Sequence, residues 1–175
     1  MNYFELFNIP VSFDVDLSVL PQTYQQLQRL THPDKFANGS EQQKLVAIQK
    51  NGQVNDAYSV LKSPLSRAEY LLSLRGIDLQ HEQQTIKDTA FLMQQMEWRE
   101  ELAEIADQAD PLSALESLED EINQTIKSDL TKLRDLLESE RPLAEQNAAD
   151  VIRQLKFSYK MLSEIELKED VLSDF

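Results

Sequence analysis

Along most of the chain large apolar residues recur every three or four positions, separated by glutamine, glutamate and lysine, which is the period of amphipathic helices. No segment alternates convincingly enough to be read as a strand, and only three glycines interrupt the pattern. The chain therefore reads as all-α. The opening "YFELF" is compact and apolar, and the loop "NIPVSFDVD" after it ends near an Asp or Ser cap. Leu20, Tyr24 and Leu27 then recur at helical spacing as far as Thr31. Beyond "HPDKFA", the turn residues "NGSE" make Ser40 the cap of a long helix, "EQQKLVAIQKNGQVNDAYSVL". Pro64 restarts the chain as "PLSRAEYLLSL", and Gly76 stops it at a helix C-terminus.

Residues 76–84, "GIDLQHEQQ", read as a connector, and three longer helical patterns follow at roughly 85–108, 111–139 and 142–168. Asp110 before Pro111 is a cap followed by a proline at a first helical position, and Pro142 marks the next start. In the middle pattern Leu115, Leu118, Ile122, Ile126, Leu130, Leu133 and Leu137 step by three or four, one buried stripe. Three antiparallel helices with short joins make a small bundle. The architecture expected is two helical units meeting near residue 76.

Composition narrows the chemistry. The 31 acids outnumber 17 bases for a net charge of −14, spread along the sequence, which disfavours nucleic acid as a direct partner. There is no cysteine, so disulfides, thiolate nucleophiles and sulfur-ligated metals are excluded, and a reducing cytoplasm fits. No apolar run reaches membrane-span length, and "MNYFELFNIP" lacks the basic and apolar regions of a secretory signal.

One of the two histidines begins "HPD", at the join between two helical patterns. As catalysis the triplet is poor, because no nucleophile motif or oxyanion-forming glycine loop accompanies His32. As a metal site it is poorer, since His81 is the only other imidazole and no paired Glu-x-x-His occurs. Neither enzymatic activity nor a cofactor is expected. As a shaped turn it makes sense: Pro33 fixes its own φ, donates no hydrogen bond and pushes His32 out of helical geometry. That holds His32 and Asp34 in a stiff corner, and the Asp34 carboxylate is suited to a bidentate arginine partner. From the triplet alone, an ordinary helix stop explains it as well.

A second candidate lies on the first helix of the C-terminal unit. At ~100° per residue, Phe91, Trp98, Leu102, Ile105 and Ala109 share a core face, while Leu92, Met93 and Met96 fall off it among Glu97, Glu100, Glu104 and Asp107. In the last helix Val151, Ile152, Leu155, Tyr159 and Leu162 share a face, and Phe157 points roughly the other way, among Arg153, Lys156 and Lys160. Methionines edged with glutamates suit an adaptable contact with a partner. Packing against the N-terminal unit or a second copy is the alternative.

The segments "NYFELFNI", "HPDKF" between two helices, and "VNDAYSVLKSPLSRAEYLL" together resemble the J-domain of DnaJ-type co-chaperones over roughly residues 1–75. The resemblance continues through "RAEYLLSL" into "DTAFLMQQMEWREEL", similar to the HscB family of J-type co-chaperones in iron–sulfur cluster assembly, and spans nearly the whole chain. It implies an L-shaped, two-domain, all-α protein: a J-domain at 1–75, a connector at 76–84 and a three-helix bundle at 85–175. It implies that His32, Pro33 and Asp34, with Arg29 and Lys35, meet an HscA-like chaperone of the DnaK class and stimulate its ATPase. Leu92, Met93, Met96, Glu97, Glu100, Glu104 and Phe157 stand where the family binds an IscU-like scaffold. The protein would be a cytoplasmic, monomeric adaptor without cofactor, metal, membrane or nucleic acid. In one respect the chain departs from the family: the helix before the triplet, "PQTYQQLQRL", has Arg29 as its only basic residue. Hydrogen bonding through its glutamines is expected in place of charge attraction. A general J-protein holding unfolded polypeptides is the main rival, and a helical module pairing through Leu92, Met93 and Met96 is a third.

Overall fold

The computed structural model describes residues 1–79 and 88–174, which divide into two compact units, Met1–Asp78 and Leu79–Phe175. The first holds α1 (Tyr3–Leu6), α2 (Leu20–Thr31), a 3-10 turn (Pro33–Phe36), α3 (Glu41–Leu61) and α4 (Pro64–Leu74). The second holds α5 (Thr89–Ala103), a 3-10 turn (Ile105–Asp107), α6 (Pro111–Glu138) and α7 (Ala144–Ser173). Among the described residues there is no strand, and no helix is long and apolar enough to cross a membrane. His81 and the start of the helix expected from residue 85 lie outside the described residues.

In the first unit α2 and α3 form an antiparallel hairpin whose base is closed by α1 and α4. Phe4, Phe7, Phe13, Leu20, Val54, Leu61, Ala68 and Leu72 are buried there. The amide of Tyr3 donates to the Tyr70 hydroxyl at 2.9 Å, and the two rings stack with centroids 4.6 Å apart. Arg67, from the RAEYLL run, is buried. Its Nε donates to the Phe13 carbonyl at 2.6 Å and its Nη1 to the Leu61 carbonyl at 2.7 Å. Burial lowers the Arg67 pKa, opposed by the Asp14 carboxylate. One cation thus satisfies two carbonyls, one in the long loop before α2 and one at the end of α3.

Local chemistry sets most helix ends. Ser40 and Gln43 form a reciprocal capping box at the start of α3, with bonds of 3.1 and 3.0 Å. Gly76 takes φ +88 after α4, the left-handed geometry that glycine tolerates best. The start of α2 differs from expectation. Its N-cap is Val19 with no side-chain bond, because Asp16 is already engaged with the amide and hydroxyl of Ser18.

In the second unit Asp110 caps α6 by accepting the Ser113 amide at 3.2 Å, with Pro111 at the first position. Six of the seven stripe residues are buried and Leu130 is half-buried. The helix α7 packs along α6, and its buried positions include Ala144, Ala148, Ala149 and Ser158, small residues that let neighbouring helices approach closely. Pro142 does not open α7. The chain reverses sharply after α6, Leu143 absorbs the reversal with φ +68, and the helix begins at Ala144. Nor does α5 continue to 108: Gln108 is extended and Asp110 non-helical, the conformation that Pro111 favours in the residue before it. The wheel's core face holds for Phe91, Trp98 and Ile105, the last by way of its 3-10 turn, whereas Leu102 is half-buried and Ala109, beyond the helix, is exposed rather than core.

Candidate interaction surfaces

Helix α2 ends where Pro33 forces it to: His32 is extended at φ −62, ψ 131, and the chain re-enters a short 3-10 turn from Pro33 to Phe36. His32 caps this turn with its own ring, Nδ1 accepting the Asp34 amide at 3.2 Å. An Nδ1 that accepts carries no proton, so in the neutral ring the proton sits on Nε2. The Asp34 carboxylate, 3.5 Å from Nδ1, is 93% exposed, and the His32 side chain 49%. The triplet thus presents one ring donor and one carboxylate acceptor on a cap-locked corner. Beside it Gln25, Gln28, Arg29, His32 and Lys35 line a shallow hollow of ≈ 410 Å³.

A polar ladder that the sequence reading did not identify holds this corner. Tyr24 stacks on Tyr58 at 4.1 Å and donates to Asn55 Oδ1 at 2.6 Å. Asn55 donates to Asn51 at 3.4 Å, Asn51 to the Thr31 hydroxyl at 3.3 Å, and Thr31 to the Leu27 carbonyl at 2.8 Å. The ladder ends one residue before His32. Its signal was two asparagines one helical turn apart on the same face of α3 as Tyr58.

In the second unit Asp88 caps α5, accepting the Phe91 amide at 3.1 Å, and takes the Gln154 amide group of α7 at 3.4 Å. With the helix so fixed, Phe91 and Trp98 are buried, and the Trp98 indole donates to Glu121 at 3.3 Å. Leu92, Met93 and Met96 lie outside at 39%, 59% and 64% exposure. Glu97 and Glu100 are exposed on the same helix and Glu104 at its end. Glu101, on the same acidic helix, has its pKa raised by burial and then by the Glu121 and Glu97 carboxylates. The patch can bury apolar area against a partner while its carboxylates meet cations.

Phe157 departs from the wheel. It is half-buried and meets α5: its ring is edge-on to Phe91 at 5.8 Å and stacked with Trp98 at 6.3 Å. Arg99 lies over the ring with its guanidinium 5.4 Å from the centroid and forms an ion pair with Glu164. The wheel missed this because it treated α7 as having one buried side, whereas α7 has two neighbours, α6 and α5. Among the described residues no group of three or more His, Asp or Glu is arranged to hold a metal ion.

Residues 87–166 match the family model described as the HSCB C-terminal oligomerisation domain. The chain is 61% identical over 175 residues to the co-chaperone protein HscB homolog of Pseudoalteromonas atlantica, covering 100% of both sequences. It is 53% identical to the homolog of Shewanella loihica, covering 98% of this chain and 99% of that one. Among solved structures, chaperone HscB from Vibrio cholerae matches with a TM-score of 0.89 at 44% identity, covering 98% of this chain and 99% of that one. Human co-chaperone protein HscB matches with a TM-score of 0.88 at 32% identity, covering 97% of this chain and 82% of that one. With its two all-α units, its cap-locked HPD corner and this full-length similarity, the chain belongs to the HscB family of co-chaperones.

Proposed function

We propose that the protein is a two-site adaptor for iron–sulfur cluster assembly in the cytoplasm. The first unit presents His32, Pro33 and Asp34, flanked by Arg29 and Lys35, to an HscA-like chaperone of the DnaK class and stimulates its ATPase. The second unit holds an IscU-like scaffold through Leu92, Met93 and Met96, with Glu97, Glu100 and Glu104 meeting basic residues. Phe157 contributes from beneath, as the support on which α5 rests. Carrying both partners on one chain raises the effective concentration of scaffold at the chaperone. The chain itself needs no catalytic group, since the nucleotide and the cluster belong to its partners. The observation that carries this reading is the exposure of three large apolar side chains on an acidic helix whose core face is already filled by Phe91 and Trp98.

A chaperone ATPase assay with and without scaffold tests it. Protein and scaffold together should stimulate more than the sum of either alone, and Asp34→Asn should remove the stimulation while leaving scaffold affinity intact. Simple additivity, or full stimulation by Asp34→Asn, would refute the adaptor. The matched family model is described as an oligomerisation domain, which favours one other reading, that the same apolar patch joins two copies. A net charge of −14 opposes that self-association. A tight dimer in sedimentation that Met96→Ser dissociates would establish it instead.

A further inference from the structure

At ~100° per residue, the side of α7 turned away from α6 carries Lys156, Lys160 and Leu167 along one line, with Val171 one turn beyond. The two lysines are exposed, and Leu167 and Val171 are 66% and 55% exposed. Nothing in the adaptor reading uses this line. The outer side of α5 carries Met93, Glu100 and Glu104 along a line of its own, opposite the buried Phe91 and Trp98. The two lines have the same spacing and opposite direction. From Met93 the glutamates follow at seven and eleven positions toward the C-terminus, and from Leu167 the lysines follow at seven and eleven positions toward the N-terminus. Laid antiparallel at ~1.5 Å per residue, Met93 meets Leu167, Glu100 meets Lys160 and Glu104 meets Lys156. Met96 falls level with Glu164, whose carboxylate is drawn aside into its ion pair with Arg99 of its own chain. Both lines face outward from the same bundle, so the pairing needs two copies.

We infer that two copies of this chain meet head to tail, the basic and apolar back of α7 in one lying antiparallel on the methionine and glutamate face of α5 in the other, so that the face offered to the scaffold is shielded by a sister copy until scaffold displaces it. The contact stands on the two helix faces, and its displacement by scaffold rests on the adaptor reading above. Charge complementarity decides the occupant. The acidic half of the α5 face needs a cationic, partly apolar helix, and α7 supplies one in a protein of net charge −14. A symmetric dimer of two such patches would set glutamate against glutamate, whereas the head-to-tail register sets each against a lysine. The description of the matched family model names oligomerisation without faces, and the shared spacing supplies them. The contact is weak, because exposed ion pairs contribute little and the net charge repels copies at long range. Weakness suits a shield, since a tight one would keep the scaffold out. The two faces differ, so the contact is heterologous and every pair leaves one α5 face open.

The methionines Met1, Met93, Met96 and Met161 and the absence of cysteine make the test direct. Protein with isotope-labelled methionine methyls is mixed with unlabelled protein that carries a nitroxide, attached as a thioether at Leu167→Cys. The Met93 and Met96 signals should weaken about two-fold or more while Met1 is unaffected. The same nitroxide at Val11→Cys, an exposed site of the first unit, should leave them unchanged. Lys160→Glu in the nitroxide-bearing copy should abolish the effect, and Glu100→Lys in the isotope-labelled copy should restore it. Unweakened Met93 and Met96 signals overturn the contact, as does weakening that the two charge reversals leave as it was. A nitroxide at Met93→Cys that acts more strongly than one at Leu167→Cys also overturns it, since the patches would then meet each other. Saturating IscU-like scaffold should remove the nitroxide's effect. An effect undiminished by scaffold overturns the shielding, and with it the scaffold's place on the patch, but leaves the contact between copies standing.

Discussion

The main-chain amide of Asp34 donates to Nδ1 of His32 at 3.2 Å, so the first residue of the triplet shapes the backbone of the third. An asparagine carries its oxygen at the position of Nδ1, whereas a glutamine carries its polar atoms farther out, nearer Nε2. His32→Asn keeps the cap and His32→Gln loses it, a difference of about 1 kcal/mol in the local turn. The Asn variant should therefore retain more chaperone ATPase stimulation at saturation than the Gln variant. The reverse order, measured in one assay, would assign the ring's role to its outer nitrogen alone.

Leu92→Ser combined with Met96→Ser alters side chains that are 39% and 64% exposed. Stability should change by less than about 1 kcal/mol in urea unfolding, as for surface positions generally. Scaffold affinity should fall at least ten-fold by calorimetry, which is about 1.4 kcal/mol. A large loss of stability with unchanged affinity would mean that the patch is packing surface.

Phe157 should behave in the opposite way. Its ring is held between Phe91, Trp98 and Arg99, so Phe157→Ala leaves a gap under α5 and should destabilise the second unit by roughly 3 kcal/mol. Phe157→Leu, which refills much of the volume, should recover a large part of that in the same denaturation assay. A negligible effect of the alanine would place the ring at the surface after all.

Glu101 gives a pH dependence. Its pKa is raised by burial first and then by Glu121 and Glu97, so its contribution to stability is fully present below the unfolded-state pKa and is lost as pH rises through the folded-state value. Glu101→Gln removes that loss. Because the side chain is largely exposed and screened, the gain near neutral pH should be about 0.5 kcal/mol, or roughly 2 °C in melting temperature. The advantage should shrink as the solution is brought down toward about pH 4, and a constant or growing advantage would contradict the assignment.

The elements most legible in the sequence were those with a local cause. Ser40, Asp110 with Pro111, and Gly76 act within one turn of themselves, and α6 has a single neighbour-facing stripe. The exposure of Leu92, Met93 and Met96 was legible from wheel geometry because α5 is one uninterrupted helix through them. What escaped needed the third dimension. Phe157 is sandwiched by a second neighbour, Arg67 is a buried cation whose acceptors lie 54 and 6 residues away, and the Tyr24–Asn55–Asn51–Thr31 ladder joins two helices through polar atoms. Leu143 absorbs a reversal that Pro142 alone would have assigned to a helix start.

The chain has a single tryptophan, and its indole is fully buried on the inner face of α5, whose outer face carries the methionines, stacked on Phe157 and bonded to Glu121. Selective excitation therefore reports on one place only. Emission colour and lifetime should register any molecule that settles on Met93 and Met96 without a dye being attached, and should stay silent when something grips the hairpin tip. The chain thus carries a built-in lamp beneath the methionine patch, and under the proposed adaptor role it would let binding there be watched separately from binding at the hairpin tip.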